Sequence, residues 1–179
     1  MLNTENTMAL AIDFQDRMMP VIDDNEELTR IAVTFLKGCR ILDVPVLATQ
    51  QYTKGLGETI EPVKEALGEF EHIEKITFSC YKNEEFRKKL EQSGRKNIIV
   101  TGVEAHICVQ QTVLDLLDHG YCVYVLVDCV SSRFSTDRKF STKRMDRAGA
   151  IITTMESILF ELLGSADHPS RKEITNLVK

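Results

Sequence analysis

Short apolar runs alternate with helix-patterned stretches along this 179-residue chain, and this alternation constrains its fold more than any other feature. Runs such as Met8–Asp13 and Asn97–Thr101 are rich in apolar residues and too short for helices. Between Leu28 and Leu42, apolar residues instead recur three and four positions apart, as one face of a helix requires. Strands that alternate with helices form a parallel sheet covered on both faces. The pattern predicts a three-layer α/β/α sandwich with a six-stranded parallel sheet.

The predicted strands and helices are distributed along the whole chain. The predicted strands are Met8–Asp13, Val44–Thr49, Ile73–Phe78, Asn97–Thr101, Tyr121–Asp128 and Ala150–Thr153. The Leu28–Leu42 stretch is the first predicted helix. The others are Glu84–Ser93, Ile107–His119, Asp137–Ala148, Met155–Leu163 and a short tail helix after Ser170. Gln50–Glu61 has no clear period and is predicted to be a loop, and Thr153 with Glu156 forms a capping-box pattern. Without a linker or repeat, residues 1–179 are predicted to form one domain.

Composition argues against several classes of partner. A net charge of −5 and a pI near 5.4 are unfavourable for nucleic-acid binding. No apolar stretch approaches the length of a membrane span, and the N-terminal residues lack the pattern of a signal peptide. The five cysteines are odd in number and form no CxxC pair, which favours a reducing compartment. We therefore predict a cytoplasmic protein that binds neither nucleic acid nor membrane, with mitochondrial import by an internal signal as an alternative.

Polar residues follow several predicted strands at the point where each strand ends. In doubly wound sheets the ligand crevice lies outside the carboxyl ends of the strands. The polar residues expected there are Asp13, Gln15, Gln50, Gln51, Tyr52, Cys108, Ser131, Ser132 and Arg133.

Cys108 is the candidate nucleophile among them. It falls in the first turns of a predicted helix, where unpaired N–H groups stabilise a thiolate. A cysteine at such a position is also a common packing residue, and Asp13 is equally suited to capping a backbone turn. His106 lies two residues before Cys108 and would not face it on a helix. Lys75, beside Glu74, has the pattern of a solvated surface charge.

Other chemistries are disfavoured by the residues at these positions. The stretch after the first strand, Asp13–Asp16, has none of the glycines of a dinucleotide site. Val109–Thr112 supplies no arginine for a cysteine phosphatase, and Thr49–Gly57 supplies no cluster of metal ligands. We expect neither a metal nor another cofactor.

Several short motifs, spread along nearly the whole chain, are similar to those of one known family. They are Ala11–Gln15, Val44–Val46, Gln50–Tyr52 with Gly55–Gly57, Lys75 with Phe78–Ser79, Gly102–Val109, and Asp128 with Ser131–Arg133. In these motifs the chain resembles the isochorismatase-like cysteine hydrolase superfamily, and within it the isochorismatase domain-containing proteins of eukaryotes. With this resemblance, the expected strand order is 3-2-1-4-5-6.

The resemblance implies a role for each site residue. Asp13, Lys75 and Cys108 would form a catalytic triad that cleaves a C–N bond of a small carbonyl compound through a thioester. Asp13 would act as acid and base, and the Lys75 ammonium would stabilise charge. A cis peptide at Val103–Glu104 would aim the Glu104 N–H, with that of Cys108, at an oxyanion.

Substrate contacts and assembly follow from the same resemblance. Gln15, Gln51, Tyr52 and Arg133 are the candidate substrate contacts, and Arg133 suits a carboxylate. Gln50–Tyr52 stands where nicotinamidases carry metal ligands, which argues against nicotinamide as the substrate. A homodimer or larger assembly is expected. The alternatives are a catalytically weak relative that serves as a ligand-binding or scaffold protein and, less favoured, a redox sensor at Cys108. Amides, ureido compounds and imides stay open as substrates.

Overall fold

Six parallel strands form one sheet in the computed structural model, which describes residues 2–179. The strands are β1 (Thr7–Ile12), β2 (Val46–Gln51), β3 (His72–Lys75), β4 (Asn97–Val103), β5 (Cys122–Ser131) and β6 (Ile151–Thr153). Their spatial order is β3-β2-β1-β4-β5-β6. The predicted sheet and strand order are confirmed.

Eight α-helices connect or follow these strands within the described residues. They are α1 (Asn25–Ile41), α2 (Thr53–Leu56), α3 (Glu61–Leu67), α4 (Glu84–Ser93), α5 (Gln110–Asp118), α6 (Ser135–Arg147), α7 (Met155–Leu163) and α8 (Arg171–Leu177). One π-helical turn, Ala105–Val109, directly precedes α5. Between residues 2 and 179, no helix combines the length and apolarity needed to cross a bilayer.

The helices cover both faces of the sheet, as the period-2 side-chain alternation of β1 shows. Ala9 and Ala11 pack on one face with buried residues of α1, α3, α7 and α8. Met8, Leu10 and Ile12 pack on the other face with buried residues of α4, α5 and α6. Successive residues of a strand point to opposite faces, so one central strand contributes to two cores and the molecule has three layers.

Several predicted boundaries were wrong. β3 ends at Lys75 rather than Phe78, and the predicted loop Gln50–Glu61 contains the end of β2 and all of α2. The short helix α3 was missed, although proline in its first turn is a helix-start signal. The helix predicted at Ile107–His119 is divided into the π-helical turn and α5.

The capping box predicted at the start of α7 is also wrong. Thr154 is the N-cap residue and its side chain makes no capping bond. Both carboxylate oxygens of Asp128, in β5, accept from the Met155 N–H at 3.0 Å instead. A residue distant in sequence thus satisfies the helix start, which a local motif cannot reveal.

Gly102 permits β4 to approach β1 at the end of the sheet that carries Asp13. Its φ is +123°, and a Cβ there would lie 2.1 Å from the carbonyl oxygen of Ile12. Gly94 also has a positive φ, but a Cβ there would meet no atom within 4 Å. We expect Gly94→Ala to lower the free energy of unfolding by about 1 kcal/mol and Gly102→Ala to lower it by at least about 3 kcal/mol. Urea unfolding measures both, and equal losses would contradict this role of Gly102.

Candidate active site

The carboxyl ends of four neighbouring strands bring the predicted catalytic residues to one edge of the sheet. Asp13 directly follows β1, Lys75 ends β3, and Gln51 ends β2 opposite Lys75 in the strand register. Cys108 lies in the π-helical turn that follows β4. The order β3-β2-β1-β4 places these strand ends side by side.

Asp13 and Lys75 form a buried ion pair. The Lys75 Nζ lies 2.7 Å from Asp13 Oδ2, and both side chains have no solvent exposure. The other carboxylate oxygen, Oδ1, accepts from the Thr49 hydroxyl at 2.7 Å. Asp13 itself has a φ of +54°, a conformation that aspartate adopts more readily than most residues. Charged groups survive such burial only when they are paired and hydrogen-bonded, and both conditions hold here.

Gln51 lies between the ion pair and the thiol. Its Oε1 accepts from Lys75 Nζ at 2.8 Å and lies 3.9 Å from Cys108 Sγ. Its Nε2 donates to the Ile76 carbonyl at 2.8 Å, which fixes the orientation of the amide. Lys75 Nζ has a third acceptor, the Thr77 carbonyl, at 3.4 Å. Lys75 therefore has an acceptor for each of its three protons and is held in one position.

The surroundings of Cys108 favour the neutral thiol over the thiolate, contrary to the expectation from its place near a helix start. Burial raises the pKa of Cys108, the nearby Asp13 carboxylate raises it further by charge and hydrogen bonding, and Lys75 lowers it by less. Burial and a neighbouring carboxylate disfavour the thiolate, whereas the partial charges of a helix start favour it. A thiol in these surroundings must lose its proton before it can react as a thiolate, and Asp13 is the carboxylate next to it.

Alkylation by iodoacetamide tests this arrangement of charges. We expect Cys108 to react slowly at pH 7, with a rate that rises with pH beyond the ordinary thiol range near 8.5. Asp13→Asn removes the anion that raises the pKa of Cys108 and keeps Lys75, so alkylation at pH 7 should accelerate about tenfold for each unit by which that pKa falls. Asp16→Asn, at an exposed carboxylate, is the control that should change nothing. Slower alkylation in Asp13→Asn would refute the assignment.

Cys108 borders a cavity of about 340 Å³ that opens at this edge of the sheet. This size is within the range of small-molecule sites. The charged and polar residues that line the cavity with Cys108 are Arg17, Gln51, Glu104 and Arg133. The apolar lining residues are Met18, Val21, Ile22, Leu56, Phe78 and Ile107.

Two of the four predicted substrate contacts line this cavity and two do not. Gln51 and Arg133 line it. Gln15 is fully buried behind it, where its Oε1 accepts from the Gln51 N–H at 2.7 Å and its Nε2 donates to the Gly57 and Gln51 carbonyls. Tyr52 is half-exposed and its ring packs against Gly55. In this structure Gln15 positions Gln51 and the following loop.

Glu104 connects the turn after β4 to the residues after β5. The peptide bond Val103–Glu104 is cis. The Glu104 carboxylate accepts from the Arg133 backbone N–H at 3.0 Å and from its Nε at 3.1 Å. No hydrogen bond from the Glu104 backbone N–H occurs among residues 2–179. His106 lies within hydrogen-bond distance of the Ser132 hydroxyl, at 2.9 Å from its Nδ1.

Three residues of the site were missed by sequence reasoning. Thr49 bonds the Asp13 carboxylate, and Arg17 lines the cavity. Thr112 donates to the Cys108 carbonyl at 2.7 Å and accepts from the Cys80 N–H at 2.9 Å. It thereby connects the turn after β3 to the π-helical turn that carries Cys108. Thr49 is the last residue of the strand predicted from the sequence, a position where polar side chains can reach a site, whereas no local signal marks Arg17 or Thr112. In the described part of the chain, no three His, Cys, Asp or Glu side chains cluster as metal ligands.

Comparison with known proteins agrees with this fold. The isochorismatase domain model matches residues 7–157. Isochorismatase domain-containing protein 1 of Salmo salar is 39% identical over 173 residues, which cover 97% of this chain and 61% of that protein. This chain thus spans less than two thirds of the length of that relative. These matches define a class of α/β proteins with a parallel sheet, and the chain belongs to the isochorismatase family.

Solved structures of related proteins have the same fold. The MAR1 ribonuclease of Caenorhabditis elegans has a TM-score of 0.93 and 39% identity, over 99% of this chain and 91% of that chain. The YcaC gene product of Escherichia coli, an octameric hydrolase of unknown specificity, has a TM-score of 0.88 and 22% identity, over 98% and 86% of the two chains. The second likeness concerns the fold alone.

Proposed function

We propose that this protein is a cysteine hydrolase that cleaves a C–N bond of a small carbonyl compound. The observation that carries the proposal is the buried Asp13–Lys75 pair beside a cysteine that borders a cavity of small-molecule size. A solvent-excluded carboxylate–ammonium pair is costly to bury and is typical of functional sites. Its place next to the one cavity-lining thiol supports a role in proton transfer at that thiol.

The proposed reaction has two stages. Asp13 accepts the Cys108 proton as sulfur attacks the carbonyl carbon, and the N–H groups of Glu104 and Cys108 stabilise the resulting oxyanion. Asp13 then gives the proton to the departing nitrogen, which leaves as ammonia or an amine and leaves a thioester on Cys108. Water, deprotonated by Asp13, then attacks the thioester carbonyl, the C–S bond breaks and the carboxylic acid leaves, and Asp13 returns the proton to the Cys108 sulfur. Lys75 keeps Asp13 in place throughout and limits the build-up of negative charge, and Gln51 holds Lys75.

The Glu104 N–H suits the oxyanion role because no described residue accepts from it. Gln51 suits a double role, since its Oε1 contacts Lys75 and lies near Cys108 while its chain lines the cavity. We assign Gln15 to positioning Gln51. Arg133 and Gln51 are kept as proposed substrate contacts, whereas Tyr52 is outside the cavity lining.

A screen for ammonia release tests the proposal. Primary amides, ureido compounds and imides are each incubated with the protein, and ammonia is quantified against reactions that lack protein. We expect turnover of at least one class, together with an acyl adduct on the Cys108 peptide in rapidly quenched samples. If no compound yields ammonia but some raise the melting temperature, the protein is better described as a ligand-binding relative.

Ribonuclease activity is a second candidate, favoured by the name of the C. elegans relative. The net charge of −5 and the small cavity are less suited to a polyanion than to a small molecule. Incubation with labelled single-stranded RNA distinguishes the two candidates. Cleavage by the wild-type protein and not by Cys108→Ala would support RNA as the substrate of this site.

We also propose a homo-oligomer, as the octameric E. coli neighbour suggests. Val21 and Phe78 line the cavity while more than half of each side chain is exposed, and Phe134 beside Arg133 is exposed as well. Exposed apolar groups that lie together are typical of contact surfaces. Light scattering should give a mass of at least twice 20.3 kDa, and a mass of 20.3 kDa would contradict the proposal.

A further inference from the structure

The formal charges of the side chains that line the cavity do not sum to zero. Two guanidinium groups, of Arg17 and Arg133, and one carboxylate, of Glu104, line it. Arg133 Nε lies 3.1 Å from Glu104 Oε2, so these two charges offset each other. Arg17 forms no ion pair with any residue in the range 2–179. The deeper pair, Asp13 with Lys75, is neutral as a unit. The cavity therefore carries one uncompensated positive charge, on Arg17.

The backbone of α2 holds Arg17 in place. Its Nη1 donates to the Gly55 carbonyl at 2.8 Å, and its backbone N–H donates to the Leu56 carbonyl at 3.1 Å. A guanidinium has five N–H donors in a fixed planar arrangement, and a neutral carbonyl leaves its charge unpaired. Arg17 thus has donors and charge left for a planar anion such as a carboxylate.

The remaining lining is mostly apolar and favours an aliphatic or aromatic body. Met18 and Ile22 belong to the segment between β1 and α1, and Leu56 belongs to α2. Phe78 and Ile107 complete the apolar wall. An occupant that reaches from Cys108 to Arg17 would contact this wall along its length. Its reacting end would meet the thiol, and its far end would meet the guanidinium.

We propose that Arg17 selects substrates with a carboxylate at the end away from the scissile C–N bond, joined by a short apolar body. The inference rests on the proposed function and names its substrate class. It assigns the anion to Arg17 rather than to Arg133, because the Arg133 charge is already offset by Glu104. Arg17 is a specificity-determining residue here and takes no part in proton transfer.

A binding experiment tests Arg17 without any need for turnover. Pentanoate and pentanamide have the same shape and differ in charge, and their dissociation constants are measured by NMR titration in the Cys108→Ala protein. We expect pentanoate to bind at least about fivefold more tightly, as a charge-assisted contact provides. Arg17→Gln should bring the ratio close to one, and Arg17→Lys should restore part of it.

Two controls separate Arg17 from other positive charges. Arg147→Gln removes an exposed arginine that does not line the cavity and should leave the ratio unchanged. Lys143→Gln removes an exposed lysine outside the cavity lining and should likewise leave the ratio unchanged. The inference is overturned by equal binding of the two ligands, by binding of neither, by a preference that survives Arg17→Gln, or by its loss in either control. Failure of the ammonia screen would instead concern the proposed reaction, since these titrations need no catalysis.

Discussion

Cys108→Ala should abolish ammonia release from any amide that the wild-type protein hydrolyses. Without the sulfur no thioester forms, and water alone would have to attack a carbonyl that only the N–H groups and the cavity help to activate. Loss of a nucleophile of this kind costs at least about 10⁴-fold in kcat. The measurement is the rate of ammonia release at saturating substrate, with binding followed separately by thermal shift.

Cys80→Ala is the matched control. Cys80 is fully buried beside the same ion pair, and burial raises the pKa of its thiol to about 11 although Lys75 lowers it. It does not line the cavity. We expect Cys80→Ala to retain kcat within about tenfold and to lose about 1 kcal/mol of unfolding free energy from the small void it leaves. Turnover that persists in Cys108→Ala, or that disappears equally in Cys80→Ala, would contradict a nucleophilic Cys108.

The sheet and most helices could be predicted because their signals are local. The bounds of α4 and α7 were predicted to the residue, since each has an amphipathic or apolar pattern and ends at a glycine with positive φ, Gly94 and Gly164. Helix α3 was missed because its seven residues are too few to show a helical period. The start of α7 depends on Asp128, 27 residues away, and such contacts leave no pattern in the sequence.

The site was harder to predict from the sequence because its residues are far apart along the chain. Lys75 shares the buried side of β3 with Ile73, and the alternation of burial along this strand was a signal that could have marked it. Nothing near Lys75 in the sequence shows that Asp13 lies opposite, 62 residues away. The elevated pKa of Cys108 likewise comes from burial and from Asp13, which a helix-start argument does not contain. Only the resemblance to a known family pointed to the lysine.

Lys75→Met should be among the most destabilising substitutions in this protein. Methionine has a similar length and no charge, so the variant leaves the Asp13 carboxylate buried without its partner. Breaking a buried ion pair in this way typically costs about 3–5 kcal/mol. Asp13→Asn should cost a similar amount, because it leaves the ammonium buried, and asparagine tolerates the positive φ of this position. Urea unfolding gives both values.

The double variant Asp13→Asn/Lys75→Met distinguishes the contribution of the intact ion pair to the free energy of unfolding from the cost of leaving one of its charges unpaired. With both charges gone, no buried ion is left uncompensated, and we expect a free energy of unfolding within about 1–2 kcal/mol of wild type. Hydrolysis should be lost in all three variants. Recovery of stability without activity would indicate that the pair serves catalysis, whereas additive losses in the double variant would refute this.

The pH dependence of these losses has a definite sign. Burial lowers the pKa of Lys75, but the Asp13 carboxylate and, once ionised, the thiolates of Cys80 and Cys108 raise it by more, so the pKa lies above the ordinary lysine value of 10.5. The stability that this residue contributes is therefore fully present at neutral pH and is lost only as pH rises through that elevated pKa. In Asp13→Asn the main opposing charge is gone and burial lowers the Lys75 pKa, so the folded state binds fewer protons than the unfolded chain and stability rises with pH toward 10.5. Measured in the Cys108→Ala background, the difference in unfolding free energy caused by Asp13→Asn should be smaller at pH 9.5 than at pH 7. A difference that widens with pH would show that Asp13 does not hold the charge of Lys75.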